Sequence, residues 1–386
     1  MKGPLGPRPI PLLTTGLPGT GGAARVSEED FRVEELPLYQ AAGEGDHLFI
    51  TVEKTGRNTQ DVAQELGRIL QVAGRDVGAA GLKDKRAVTV QRLSVPLPRG
   101  TAGPQAVAKA EEFRARALAA TGQGWRVLAA ERHGNKLRTG HLAGNRFTVV
   151  LRGCAPEGLP RAQAVLAVLA ARGVPNLFGP QRFGRRGDNA SLGAAILRGD
   201  PGVARSGRDR FLRRLALSAL QSEVFNRCLA DRIASGLFSV VIPGDVLKKR
   251  DSGGVFTCTD VDADQLRVER GEVDPAGPLP GRQPSMAVDE ARRREDAVLA
   301  EMGLTAALLA AGGGEMEGTR RPYRVPLGEA QVALRESGVL ALTFSLPPGS
   351  FAAAVLREVM KPSEQGSGAA PGADQSESAT EADSEG

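Results

Sequence analysis

Gly81-Leu82-Lys83-Asp84-Lys85-Arg86-Ala87-Val88-Thr89-Val90-Gln91 sets one carboxylate among three cations at the entrance to an alternating stretch. Thr89, Gln91, Leu93 and Val95 recur at a period of two, so Ala87 to Val95 reads as a strand with Asp84 in the turn before it. The polar pair of that face lies nearest the aspartate. Neighbouring positive charges favour the ionised form of a carboxyl group, and the same cations attract phosphate. A solvated surface turn also carries such runs, and Thr89 and Gln91 would then be ordinary strand decoration.

Working outward, His47 to Lys54 places Leu48, Ile50 and Val52 on one face of a second strand. Asn58 or Thr59 can cap a helix whose apolar positions are Val62, Leu66, Ile69 and Ala73. Arg146 to Arg152 alternates, with Phe147, Val149 and Leu151 on a core face and Arg146, Thr148, Val150 and Arg152 on a face free to meet phosphate. Ala162 to Ala171 reads as a helix ended by Gly173-Val174-Pro175-Asn176, where we place a domain boundary. Leu217, Leu220, Val224 and Cys228 mark a core helix beyond it. Gly271 to Pro284, dense in Gly and Pro, reads as a loop, and Asp289 to Met302 as a charged helix. Ser350 is the expected cap of a last helix over Phe351 to Met360.

A chain of 386 residues has room for two domains, each with its own core. The last 26 residues hold one lysine against six acidic residues, so the remainder of a chain of net charge +5 carries +10. That balance suits a polyanionic partner, nucleic acid or an anionic surface. No apolar run is long enough to span a bilayer, and Met1 to Arg25 lacks the pattern of a secretory signal, so the expected location is cytoplasmic. Cys154, Cys228 and Cys258 are odd in number and widely spaced, which suggests buried free thiols. His47, His133 and His141 have no metal-ligand spacing, so no metal site is drawn. Residues 1–24 are expected to form a loosely ordered lead-in, and residues 362–386, acidic and without aromatics, a disordered tail.

The opening stretch resembles the G-x-K-D-x-x-A-x-T-x-Q signature of the TruD family of tRNA pseudouridine synthases. Other segments resemble that family in the same order along residues 25 to 359. They are Glu29-Asp30-Phe31-Arg32-Val33-Glu34-Glu35, Gly43-Glu44-Gly45-Asp46-His47, Arg132-His133-Gly134-Asn135-Lys136-Leu137-Arg138, and Gly144-Asn145-Arg146-Phe147. Gly173-Val174-Pro175-Asn176, Gly179-Pro180-Gln181-Arg182-Phe183-Gly184 and Pro348-Gly349-Ser350-Phe351-Ala352 complete the set. The chain departs from the pattern at Leu177, where the family has an aromatic residue, and at Ala353 and Ala354, where Thr and Ser are usual.

The resemblance implies an α+β fold. A pseudouridine synthase catalytic domain, with a mixed, largely antiparallel sheet and flanking helices, would comprise residues 25–172 and 326–361, with an inserted α+β TRUD domain at 173–325. It implies isomerisation of uridine to pseudouridine in tRNA, at position 13, with no cofactor, no obligate protein partner and no membrane association. Asp84 would be the catalytic carboxylate, able in principle to attack the sugar, attack the base or remove a proton. The target nucleotide must leave its stack and be held, usually on aromatic faces. By resemblance Arg25, Phe31, Lys83, Asn145, Phe147, Gln181 and Phe351 would meet it. Lys136, Arg138, Arg146, Arg182, Arg185 and Arg186 are the candidates for phosphate contacts. Two rivals share these features: an RNA-binding protein without activity, and a glycoside hydrolase, for which Glu34, Glu35 or Asp46 would supply a second carboxylate.

Overall fold

The computed structural model describes residues 8–98, 104–203, 209–283 and 285–361; the acidic tail lies outside the described residues. The first half of the chain supplies β1 (Gly21–Ala24), β2 (Phe31–Pro37), β3 (His47–Thr55), β4 (Gly78–Ala79), β5 (Val88–Pro96), β6 (Thr121–Gly122), β7 (Trp125–His133) and β8 (Leu142–Cys154). Helices α1 (Thr59–Leu70), α2 (Pro104–Leu118) and α3 (Gly158–Arg172) alternate with them. After the short β9 (Val174–Pro175) come α4 (Asn189–Arg198), α5 (Arg210–Ala234), β10 (Val246–Lys249), β11 (Val255–Thr257), α6 (Val261–Glu269), β12 (Val273–Leu279), α7 (Asp289–Met302), α8 (Ala306–Ala310) and β13 (Thr319–Pro322). The chain closes with β14 (Arg324–Val325), β15 (Gly328–Glu336), β16 (Val339–Leu346) and α9 (Ala352–Met360).

Ten strands form one sheet in the order β15-β16-β8-β2-β5-β3-β7-β6, with β1 added beside β8 and β4 beside β5. All its pairs are antiparallel except β2 with β5. Residues directly opposite on adjacent strands share a face, so register shows what each face carries. On the inner face, Phe147, Val149, Phe344, Phe31 and Val33 pack with Val165 and Leu169 of α3 and Val355 and Val359 of α9. Further along the same face Leu48, Ile50, Val52, Leu93 and Val95 pack with Val62, Leu66 and Leu70 of α1 and Phe113 of α2. Two apolar clusters thus cover the two wings of one sheet face, and the seam between them falls on β2 and β5.

Residues 173–325 begin and end on one ladder, where Val174 pairs with Val325 and Pro175 with Arg324. Inside lies a four-stranded sheet, β11-β10-β12-β13, against α5. The first apolar cluster does not stop at that entrance. It continues from α3 through Phe178 and Phe183 to Leu217, Leu220, Val224 and Phe225 of α5, so the seam between the two parts is packed rather than open.

Three expectations need correction. Gly271 to Pro284 is not all loop: Val273–Leu279 is a fully buried strand flanked on both sides. Pro275 and Pro278 hide it from a composition reading, yet their missing N–H groups do not prevent pairing with Leu247 and Arg320. Gly277 belongs there because a Cβ would come within 2.4 Å of the Tyr323 ring. Residues 8–24 are docked, not loose. The carboxylate of Glu358, itself 0% exposed, accepts from the amides of Leu13 and Thr14 and from Thr14 Oγ1, and β1 pairs with β8. Ser350 does not cap the last helix; Phe351 occupies the cap position and Ser350 Oγ is buried without a partner.

The three cysteines are buried free thiols. Burial pushes each thiol pKa up, that of Cys258 to about 12 with help from Asp264. Among the described residues no helix is long and apolar enough to cross a membrane.

Candidate active site

Asp84 stands at the seam between the two apolar wings of the large sheet, in the turn that enters β5. Arg25 Nη2 lies 2.7 Å from its Oδ2, with the two side chains 38% and 22% exposed. The Arg25 guanidinium also covers the Phe31 ring at 3.8 Å from the centroid. Its backbone is left-handed, φ +59°, a conformation that side chains disfavour and that surroundings must enforce. Both flanks do so. β1 pairs with β8 just before it, and just after it Asp30, 1% exposed, accepts from Ser27 N and from Nε and Nη2 of Arg152. The Arg152 guanidinium hydrogen-bonded to Asp30 holds that carboxyl below the usual range. The Glu29-Asp30-Phe31 segment therefore acts as a fastener that delivers Arg25 to Asp84.

The cations around Asp84 are not the ones its sequence neighbours suggest. Lys85 and Arg86 point to solvent. Lys83 turns inward and pairs with Glu35 at 2.8 Å, the side chains 5% and 3% exposed. Glu35 also accepts from Arg92 N. Thr59, one of the two expected helix caps, instead donates from Oγ1 to Gln91 Oε1 (2.8 Å) and accepts from Lys83 N (3.0 Å). Register places Asn145 opposite Glu35, Phe147 opposite Val33, Val33 opposite Thr89 and Thr89 opposite Lys54. By alternation Gln91 and Glu35 share that face too. A polar strip of Asn145, Glu35, Gln91, Thr89 and Lys54 thus crosses the seam below Asp84. Asn145 Oδ1, Thr89 Oγ1 and Gln91 Nε2 are buried there without protein partners, which is unusual for native interiors and marks a site rather than a core. Gly144 next to Asn145 lets β8 close on the end of β16, since a Cβ would meet Leu346 O at 2.4 Å.

Alternation also sets one candidate apart from this strip. Arg146, between Asn145 and Phe147, must point to the opposite face, and it does. There Arg126, Glu53, Arg32, Glu34, Arg146 and Glu329 form a ladder of ion pairs across the back of the sheet, at 2.8, 3.0, 2.9, 3.9 and 2.7 Å. The back face, which the sequence reading offered to phosphate, thus pairs its own charges. Arg182 is 8% exposed, donates to Ser218 and Ser222, and lies over Phe178. Its guanidinium organises α5 rather than a surface. Lys136 donates to Arg75 O, while Arg138, Arg185 and Arg186 remain exposed. The 134–141 loop bearing Arg138 braces the strand that leads to Asp84, through Gly140 N to Ala80 O at 2.8 Å.

Of the aromatic candidates, Phe31 and Phe147 are 1% and 7% exposed and stack edge to face at 6.1 Å, so they line the wall from within the core. Phe351, half-buried just before α9, packs against the first apolar cluster. Gln181 is half-buried in the turn Pro180–Phe183. The second carboxylate that a glycoside hydrolase needs is not supplied by its three candidates. Glu34 is on the back face, Glu35 is consumed by Lys83, and Asp46 is exposed beyond the far end of β3. A cavity of 870 Å³ lies elsewhere, between residues 8–11, α5 and α7, where Arg227 and Arg294 pair with Glu301 and Asp231. It holds none of the groups discussed above.

The family profile described as tRNA pseudouridine synthase D (TruD) matches residues 9–207 and 208–359. The chain belongs to the TruD family. Two relatives, both tRNA pseudouridine synthase D, illustrate the depth of the match. The protein from Anaeromyxobacter sp. (strain Fw109-5) is 52% identical over 353 residues, covering 91% of this chain and 96% of its own. One from Thermus thermophilus is 44% identical over 356 residues, covering 92% and 93%. The crystal structure assigned as a TruD protein from Methanosarcina mazei superposes with a TM-score of 0.72 at 26% identity, over 92% of this chain and 97% of that one. The α+β fold with a mixed sheet is thus a TruD fold.

Sequence reasoning missed Lys54, Thr59 and the Lys83–Glu35 pair. A lysine amid the apolar alternation of β3 was the available signal for the first, since a charge on a core-facing position needs partners.

Proposed function

We propose that this TruD-family chain isomerises uridine to pseudouridine in tRNA, at position 13, with Asp84 as the catalytic carboxylate and without a cofactor, in the cytoplasm. The observation that carries the reading is the Arg25–Asp84 pair at the mouth of a seam floored by unpartnered polar groups. A cation beside the carboxylate favours its ionised form, which each of the three chemical routes requires. The flipped nucleotide enters between the two apolar wings, its ring on Phe351 and its edge towards Asn145, where water is kept from the detached uracil. Residues 173–325 act as an inserted unit that bears on the RNA from the side of Arg185 and Arg186; its shared entrance and exit on β9 and β14 supports that division.

The test is incubation with an unmodified tRNA transcript followed by site mapping, with pseudouridine expected at position 13 and nowhere else. An RNA-binding protein without activity would retain the transcript unchanged.

Binding by exposed cations has its own signature. With Arg138, Arg185, Arg186, Lys85 and Arg86 at phosphates, affinity for tRNA falls roughly 10²-fold between about 50 and about 200 mM salt. Arg185→Gln weakens binding and flattens that slope, whereas Arg146→Gln leaves both unchanged. Filter binding across a salt series checks this, and equal effects of the two variants would contradict it.

A further inference from the structure

Lys54 is a cation at 1% exposure on the inner face of β3, opposite Thr89. Burying an ammonium is costly unless its donors are used, and here they are used on main-chain carbonyls. Nζ donates to Arg57 O at 2.8 Å, Asp84 O at 2.9 Å and Lys83 O at 3.3 Å. The carbonyls of Lys83 and Asp84 belong to the peptide units on either side of the Asp84 Cα, so one cation fixes both planes from which the carboxylate projects. Thr59 Oγ1 completes the hold by taking the Lys83 N–H at 3.0 Å. Lys85 and Arg86 on the outer side of the turn are exposed, so the hold on its main chain at Lys83 and Asp84 comes from beneath, through Lys54 and Thr59.

We propose that Lys54 is a positioning residue for the reaction: its ammonium sets the orientation of the Lys83–Asp84 peptides and so aims the carboxylate at the nucleotide. The inference rests on the reading of Asp84 as the reacting group. Neither a shorter polar side chain nor an apolar one of equal length can hold three carbonyls at once. Displacement of a reacting group by about 1 Å costs on the order of 10² in rate. RNA affinity, which the exposed cations supply, is untouched.

The experiment compares wild type with Lys54→Met on tRNA, at a temperature where both are folded by circular dichroism, and follows amide exchange in the 81–87 peptide. The expected result is kcat lower by roughly 10²-fold with KM within about threefold of wild type, and faster exchange over 81–87. An unchanged kcat overturns the proposal, as does a loss that appears in KM or tracks the unfolded fraction. Should Lys54→Met fail to fold, Thr59→Val gives the same split at smaller amplitude, and wild-type kcat with wild-type exchange in that variant is equally fatal. If the wild type itself forms no pseudouridine, the functional reading fails on its own. The exchange measurement then still decides the positioning claim, because unaltered protection of 81–87 overturns it.

Discussion

Asp84→Asn leaves tRNA affinity within about twofold of wild type and lowers pseudouridine formation by on the order of 10⁴-fold or more, the scale met when a reacting group is removed. The substitution is chosen for what it keeps. An amide oxygen still accepts from Arg25 Nη2, now 2.7 Å from the carboxylate, and the side-chain volume is nearly unchanged. What disappears is the negative charge, which every available route requires, whether the group attacks carbon or takes a proton. Single-turnover assays separate this loss from slow product release, and binding assays on the same variant show that the RNA still docks. Substantial turnover by Asp84→Asn would sink the assignment of the residue.

The second large effect is on stability. Lys83→Met strands the Glu35 carboxylate, 3% exposed, with the Arg92 amide in place of its cation. Removing one partner of a buried pair costs about 3–5 kcal/mol, because the remaining charge is left uncompensated. The double variant Lys83→Met/Glu35→Leu is expected to recover most of that loss, since an apolar pair of similar size needs no counter-charge. Urea unfolding of the two variants beside wild type measures both. A single-variant cost under about 1 kcal/mol would mean that water reaches Glu35.

Periodicity in the sequence predicted three of the ten strands of the large sheet, β3, β5 and the middle of β8, and several helices. Asp289–Met302 begins and ends where its pattern does, and β3 and β5 differ from their expected spans by a residue or so. Composition misled in two places. Val273–Leu279 reads as loop because Gly and Pro dominate it, although burial on all sides makes it a strand. The lead-in reads as loose because its Pro and Gly say nothing of Glu358, more than 300 residues away, which satisfies its amides. At the site, the motifs named Arg25 and Asp84, which the structure pairs, and Asn145, which it places opposite Glu35. They could not say which way each charge turns. Arg146 is the instructive case: alternation correctly placed it on the face opposite Phe147, but could not show that Glu34 and Glu329 wait for it there. Lys83 adjoins Asp84 in sequence yet pairs with Glu35, while Arg25, 59 residues away, reaches the Asp84 carboxylate, because burial and register as well as chain proximity decide which cation a carboxylate meets.

The anchoring of residues 13–24 on the final helix and on β8 has a consequence for biosynthesis. Thr14 is tethered to Glu358 and Thr20 to Val359, and that tether leads directly to Arg25. A nascent chain has its aspartate long before the helix that steadies the arginine has left the ribosome. Assembly of the Arg25–Asp84 pair therefore waits on residues 352–361, and a chain without them keeps both partners but loses the anchor that joins the two ends.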